Sequence, residues 1–211
     1  MPGVPILMSD IPKDYKQTAL HKLLNPHTNG GTIDVEECKA FIDAADQTAL
    51  NQQDQAGLTA LHWCAKYKNL DFDNNDAKKH VAKLLLAKGA RTDIYDNHGA
   101  TVMHMAAMSE DWSGGIVADM VAAGAKIDEP EPYFGNTAMH WAACSGLPEI
   151  IKPLLSAPAA KDALAMKNKE GKTPLEIAEG LKAGNQWNPY PYKSSAEVID
   201  EIKAFLKSKA S

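Results

Sequence analysis

Four histidines stand in equivalent local sequences and have a side chain that can ligate a metal ion or act as a catalytic base. Each follows a threonine by three residues, in TALHKLL from Thr18, TALHWCA from Thr59, TVMHMAA from Thr101 and TAMHWAA from Thr137. A metal site needs three or four ligands at about 2 Å from one ion. What these histidines do therefore depends on whether the elements that carry them bring them together.

Other chemistry-bearing motifs are absent from the sequence. There is no G-x-S-x-G elbow, no P-loop and no H-E-x-x-H. Three scattered cysteines, Cys38, Cys64 and Cys144, form neither a disulfide framework nor a metal-spaced pair. Cys64 and Cys144 fall in small-residue positions, where a buried cysteine packs as a small hydrophobe. We therefore expect no catalytic residues, no cofactor and no metal.

The composition is that of an ordinary globular protein and excludes some classes of partner. The chain has 211 residues, of which 45% are hydrophobic and 23% charged, and a net charge of −5. A negative chain has no general attraction for phosphate backbones, so we expect no nucleic acid partner. No apolar run approaches the roughly 20 residues of a membrane span. No leader is visible, which favours the cytoplasm; a periplasmic or secreted protein that has lost its leader is the alternative.

The histidine stretches belong to a longer internal repeat. With KTPLEIA added, the repeated threonine falls at positions 18, 59, 101, 137 and 173. A glycine precedes the last four threonines by two residues, and three residues before each glycine stands Asp54, Asp96, Pro132 or Asn168. These residue types favour turns. Each unit thus begins with a predicted turn, which leads into an Ala- and Leu-rich first helix.

A second helix is predicted in each unit, most clearly in DAKKHVAKLLLAKGA. Val81, Leu84 and Leu85 share one helical face, Lys78, Lys79 and Lys83 are expected on the other, and Gly89 ends the helix. GIVADMVAAGA in the third unit follows the same plan and ends at Gly124. Neither helix of a unit can bury its apolar face alone, so stacked units must share a core.

The stretch GNTAMHWAACSGLPEIIKPLL, residues 135–155, resembles the ankyrin-repeat pattern G-x-T-P-L-H-x-A-A-x-x-G-x-x-x-I-V-x-x-L-L. GLTALHWCA, GKTPLEIA and LLLAKGARTD are partial copies, so the resemblance covers roughly residues 14–210. It implies an all-α solenoid of about five helix–turn–helix units with finger-like turns and a C-terminal capping helix. We expect a tail at 1–13 and one domain at 14–211, with units at about 14–53, 54–95, 96–131, 132–167 and 168–211.

The resemblance also assigns the histidines. In ankyrin repeats the Thr and His of T-x-x-H are structural and hydrogen-bond the turn to the first helix. The same pattern covers Thr18 and His21. The structural residues that this implies are Thr59, His62, Thr101, His104, Thr137 and His140. Histidines in successive units are spaced along the solenoid and do not converge on one ion.

Insertions and aromatic residues mark the candidate binding surfaces. Units one, two, three and five carry extra residues between their two helices, so these emerge at one edge. Unit four is lengthened elsewhere, after its second helix. The aromatics of the fifth-unit insertion either cap the last repeat or meet a partner. The second candidate binding surface is the concave groove, along which further aromatic residues are aligned. Acidic residues such as Glu129 and Glu131 are expected beside it, on a solvated face. The candidate partner-binding residues are Tyr67, Tyr95, His98, Met108, Trp112, Tyr133, Phe134, Trp187, Tyr190 and Tyr192.

Two functions remain open from the sequence. The first is a non-enzymatic, monomeric module that binds a partner protein, expected to be an enzyme, and inhibits or regulates it. Small ankyrin proteins resemble such inhibitors, including bacterial self-protection proteins. The second is an assembly or scaffolding factor that holds its partner in a complex without inhibiting it.

Overall fold

Helices paired in successive units build the whole fold. The computed structural model describes residues 17–25, 31–65, 74–108, 114–182 and 195–210. The first helices of the units are α1 (Ala19–Leu23), α4 (Ala60–Ala65), α6 (Val102–Ala107), α8 (Ala138–Ser145) and α11 (Pro174–Lys182). The second helices are α2 (Val35–Ala44), α5 (Asn75–Ala87), α7 (Gly114–Ala122), α9 (Pro148–Leu155) and α12 (Ala196–Ser208). The predicted all-α solenoid is confirmed.

The units stack in chain order. Each first helix packs on the first helix of the next unit, and each second helix packs on its successor. Their apolar faces merge into one continuous buried cluster that extends from Leu20 to Ile202. Helix α12 ends the stack and buries Val198, Ile199 and Ile202 against α9 and α11. No single unit holds this core alone, because every helix pair relies on its neighbours to cover it.

Two short helices were not predicted. Helix α3 (Gln47–Leu50) follows the second helix of unit one, and α10 (Ala160–Ala165) follows the second helix of unit four. The sequence shows extra residues after α9 without a structural pattern, and it shows no sign of an extra element after α2. Both helices bury an apolar side chain, Leu50 in α3 and Leu164 in α10. Segments of four and six residues are too short to show a helical period, which is why the pattern missed them.

Glycine ends two of the second helices in the predicted way. Gly89 and Gly124 adopt φ of 86° and 79°, in the left-handed region that side chains avoid. The next amide reaches back into the helix, from Ala90 N–H to the Leu85 carbonyl and from Ala125 N–H to the Met120 carbonyl, both at 2.9 Å. These bonds satisfy carbonyls that the helix end would otherwise leave free.

One lysine of α5 lies on a different face from the one predicted. Lys78 was expected among the solvent-facing lysines, yet it is only 2% exposed. The reason is the helical spacing, because Lys78 lies three, four and seven residues before Val81, Ala82 and Leu85, which are all fully buried. Lys78 thus belongs to the core face of α5. Its charge lowers the pKa of the Cys64 thiol, although burial raises that pKa by more.

Candidate partner-binding surface

The threonine–histidine pairs have one geometry throughout the stack. The Thr Oγ1 and His Nδ1 atoms are 2.8 Å apart at Thr59 and His62, and 2.8 and 2.9 Å apart in the next two units. The threonine backbone N–H also donates to the same Nδ1, at 3.1 to 3.2 Å. Because Nδ1 accepts this bond, the ring proton sits on Nε2. The corresponding atoms of Thr18 and His21 are 2.5 Å apart.

Three of the histidines also link consecutive units. Nε2 of His21 donates to the Leu58 carbonyl at 2.9 Å, and Nε2 of His140 donates to the Lys172 carbonyl at 3.0 Å. His104 reaches the Glu129 carbonyl at 2.8 Å. Leu58 and Lys172 lie in the turn of the following unit, and Glu129 lies in the segment that leads into the next turn. The imidazole therefore bridges its own turn to the next one, and neither nitrogen is left for a substrate in these three rings.

Burial keeps these imidazoles neutral. It lowers the pKa of His62 to about 4, and it also lowers the pKa values of His21, His104 and His140. A charged ring would lose the threonine N–H donor to Nδ1, since a protonated nitrogen cannot accept it. In the described ranges, no group of three or more His, Cys, Asp or Glu side chains is arranged to hold a metal ion.

The cysteines are free thiols in the core. Burial raises the pKa of Cys38 to about 11, and those of Cys64 and Cys144 to about 12. A nucleophilic cysteine needs the opposite shift, because the thiolate is the reactive form. At neutral pH these three thiols are almost entirely protonated.

The turn before each first helix is a hydrogen-bonded loop, which we call a finger. Fingers 2, 3, 4 and 5 span residues 54–58, 96–100, 131–136 and 168–172. The first residue of each donates its N–H to the carbonyl of the last, at 2.8 to 2.9 Å. In fingers 2, 3 and 5 the first side chain also accepts two backbone N–H groups of the loop through one oxygen atom. Asp or Asn in this place closes the turn on itself.

Finger 4 departs from this plan at its first position, although Pro132 lies in the turn as the sequence predicts. Glu131 takes the first place instead, and its carboxylate accepts the N–H groups of Tyr133, Phe134 and Asn136 at 2.6, 3.0 and 3.0 Å. Finger 4 is one residue longer than the others, and the extra methylene of Glu over Asp reaches across it. Glu131 is only 6% exposed, so it is a buried anchor and does not belong to a solvated acidic face.

Tyr133 lies in the lengthened part of finger 4 and is 49% exposed. Its backbone is fixed by the bond to Glu131. The adjacent Phe134 turns inward, where its ring meets Trp141 edge-on with centroids 6.4 Å apart. The two neighbours predicted to act together thus differ, since Tyr133 faces solvent and Phe134 is half-buried against the core.

Tyr95 stands immediately before finger 3 and is 45% exposed. Its hydroxyl donates to the Glu129 carboxylate, which also forms an ion pair with Lys126 at 2.8 Å. The Lys126 and Tyr95 hydrogen bonds lower the pKa of Glu129. Glu129 is therefore engaged within the chain, and the expectation that it lies on a freely solvated acidic face is wrong.

The other candidate residues fall into two groups. His98 is exposed in finger 3, and Met108 is half-buried against the core at the end of α6. The rest lie outside the described residues: Tyr67, Trp112, Trp187, Tyr190 and Tyr192. Trp63 and Trp141 are 1% and 6% exposed and belong to the core. The Trp63 indole N–H donates to Asp54 at 2.8 Å and so braces finger 2.

Sequence reasoning missed a groove of about 960 Å³ around Tyr95. One part of its wall is α3 with the residues after it, which include Thr48 and Gln52. The segments that lead into fingers 3 and 4 supply the rest, including Arg91 and Lys126. Residues from three units more than 70 positions apart meet here, so no local pattern could have revealed it. Among the predicted partner-binding residues that the structure describes, Tyr95 alone lines this groove.

Comparison with known proteins agrees with this architecture. Residues 35–129 match the family described as "Ankyrin repeats (3 copies)", and residues 134–165 match "Ankyrin repeat". The chain belongs to the ankyrin-repeat family. Ankyrin repeats are protein–protein interaction modules and are generally non-catalytic. Within the described residues, no helix combines the length and the apolar composition needed to cross a bilayer.

The curated relatives that the chain resembles are much larger proteins. Neurogenic locus notch homolog protein 1 of Xenopus tropicalis is 29% identical over a region that covers 61% of this chain and 6% of that protein. The human protein gives the same values, and that of Cricetulus griseus is 29% identical over 59% of this chain and 6% of its own length. The chain thus spans a small fraction of the length of the relatives it matches.

Proposed function

We propose that this ankyrin-repeat chain binds a partner protein through finger 4 and inhibits it by covering its functional surface. The observation that carries the proposal is Tyr133. It is half-exposed, and the Glu131 carboxylate fixes the finger that presents it. Tyrosine is enriched among the residues that dominate binding energy, because it buries a large rigid surface at a small entropic cost.

The neighbouring fingers give Tyr133 a stable base. The Lys169 N–H in finger 5 donates to the Phe134 carbonyl at 2.8 Å, and the Lys169 ammonium donates to the Pro132 carbonyl. On the other side, the Pro132 ring packs against Gly99 of finger 3. A preorganised finger loses little conformational freedom when it binds, which favours affinity.

Binding is the activity that the described residues support. The buried thiols and the engaged imidazoles supply no reactive group, so the activity proposed for this chain is binding itself. A standard interface buries about 800 Å² on each partner. The partner class we propose is an enzyme. An enzyme whose active-site entrance falls within such a patch would be blocked when this chain binds.

Affinity capture with matched variants tests the proposal. The wild-type chain, Tyr133→Ala and Glu170→Ala are immobilised side by side and exposed to lysate of the source organism. Glu170 is an exposed residue of the adjacent finger 5 and serves as the control. We expect one protein to be retained by the wild type and by Glu170→Ala but lost with Tyr133→Ala. Equal retention by all three chains would contradict a site at finger 4.

The activity of the captured protein decides between inhibition and scaffolding. The proposal expects the partner's activity to fall on addition of wild-type chain at one-to-one stoichiometry, and to stay unchanged with Tyr133→Ala. A partner that binds stoichiometrically yet keeps its full activity would replace inhibition with the role of an assembly factor.

A further inference from the structure

Helix α3 has no counterpart in the two units that follow it. The segments after α5 and α7 run directly from the glycine at the helix end to the next finger. In unit one the chain instead forms α3, with Asp46 capping it through a bond from Ala49 N–H at 2.8 Å. Leu50 fixes this helix to the core, while Gln47 and Thr48 remain exposed. The repeat plan does not need this helix, yet the helix forms a wall of the Tyr95 groove.

Part of this wall has hydrogen-bonding capacity that the chain does not use. Gln47 and Asn51 already form hydrogen bonds within the chain: Gln47 Nε2 donates to the Lys88 carbonyl, and Asn51 Oδ1 accepts from Arg91 N–H. The side chains of Thr48 and Gln52 are exposed and hydrogen-bond to none of the described residues. The hydroxyl and the amide together offer donors and acceptors to a polar ligand.

The charges of the groove cancel in pairs. Arg91 and Asp93 form a two-pronged ion pair at 2.9 and 3.0 Å. Lys126 and Glu129 form the second pair at 2.8 Å, and the Tyr95 hydroxyl completes it. A groove whose ions are already neutralised gains little from a charged ligand, which would have to compete with an existing partner. Its chemistry favours an uncharged ligand that hydrogen-bonds and packs on the Tyr95 ring.

The extent of the groove indicates the size of the ligand. Its lining comes from three successive units, and packed helices lie 8–10 Å apart, so two unit spacings cover roughly 20 Å. An extended peptide rises about 3.3 Å per residue, and about six residues span that distance. The groove volume of 960 Å³ lies at the upper end of the range of volumes found for ligand sites. A peptide segment of this length needs a site of that size.

We propose that the Tyr95 groove, with α3 as its wall, binds an extended, uncharged polar peptide segment of a partner protein. Thr48 and Gln52 hydrogen-bond to the segment, and the Tyr95 ring packs against one of its side chains. This site is separate from Tyr133 at finger 4, and the two proposals can be confirmed or rejected independently.

Selection from a display library of random linear nonapeptides on the full-length chain tests the proposal. Affinities of the enriched peptides are then measured by fluorescence polarisation for wild type, Thr48→Ala/Gln52→Ala and Tyr133→Ala. Thr48 and Gln52 are exposed, so we expect the double variant to fold, which circular dichroism checks. We expect uncharged polar peptides that bind at least about 10-fold more weakly to the double variant, which loses two hydrogen bonds to the peptide, and equally well to Tyr133→Ala.

Salt provides the second readout. Because the groove is self-neutralised, peptide affinity is expected to change less than about twofold between low and high salt. Three results would each overturn the proposal: a selection that enriches no peptide, peptides that bind the double variant as tightly as wild type, or binding confined to charged peptides and abolished by salt. Loss of binding with Tyr133→Ala alone would assign the peptides to finger 4 and also reject the groove.

Discussion

The four buried histidines explain more of this molecule than any other residue type. Each joins its own turn to its own first helix, and three also reach the next turn or the segment that leads into it. For His62, His104 and His140 the neutral state is a condition of the fold, because Nδ1 accepts the threonine N–H. Because the buried imidazoles must stay neutral in the folded state, the free energy of unfolding depends on pH.

We predict that the chain loses stability as the pH falls from about 6.5 toward 4. The pKa of His62 drops from 6.5 in the unfolded chain to about 4 when folded, so the unfolded state binds more protons over that interval. The contribution is intact above pH 6.5, and by pH 5 His62 alone removes about 2 kcal/mol. Urea denaturation at pH 7.5 and pH 5 measures the difference. His98→Gln, at an exposed finger position, should leave it unchanged; a wild-type chain equally stable at both pH values would contradict the prediction.

Glu131 is the other residue on which local structure depends. Glu131→Ala removes the acceptor of three backbone N–H groups in finger 4. We expect a loss of roughly 2 kcal/mol in the free energy of unfolding, since unmade bonds of partly buried groups cost about 1–3 kcal/mol. Glu170→Ala, whose side chain is exposed in finger 5, should change it by less than about 0.5 kcal/mol. Similar values for both variants would mean that finger 4 does not depend on its anchor.

At the scale of elements, the fingers form a ladder that is interrupted once. Asn97 N–H donates to the Ala56 carbonyl between fingers 2 and 3, and Lys169 N–H does the same to Phe134 between fingers 4 and 5. The corresponding donor between fingers 3 and 4 would be residue 132. Pro132 has no N–H, and this junction is held instead by its ring against Gly99 and by the Tyr95–Glu129 bond.

This contact predicts different costs for two glycine substitutions. Gly99 and Gly124 share a left-handed backbone, with φ of 75° and 79°, so alanine costs about 1 kcal/mol at either position. A Cβ on Gly99 would also lie 2.3 Å from Pro132 Cγ, whereas one on Gly124 meets nothing within 4 Å. We expect Gly99→Ala to be more destabilising than Gly124→Ala by about 1–3 kcal/mol in urea denaturation. An equal loss of unfolding free energy in the two variants would contradict this prediction, because it would show that Pro132 moves away from the new Cβ at no energetic cost.

The sequence predicts what is local and repeated in this fold, and fails where the chain departs from its own period. The Thr59–His62 spacing and the ends of α5 and α7 follow from neighbouring residues alone. Glu131 was missed because counting back from Gly135 assumes a finger of constant length. The Tyr95 groove was missed because α3 shows no helical period and faces residues about 40 and about 80 positions further along the chain.

At the scale of the whole molecule, the stack turns separate units into one binding surface. The core and the histidine bridges hold successive fingers at fixed spacing, and finger 4 is one residue longer than its neighbours, with Tyr133 exposed to solvent. The function proposed here depends on that continuity, because a partner must contact several fingers at once to bury a standard interface.

Hydrogen exchange on the complex with the captured partner tests this claim most directly. Amides of residues 131–136, and of finger 3 beside them, should exchange more slowly when the partner is bound. Amides of α2, in the first unit and three units away from finger 4, should not change. Protection confined to the second helices α5 and α7, with finger 4 exchanging as in the free chain, would contradict the account.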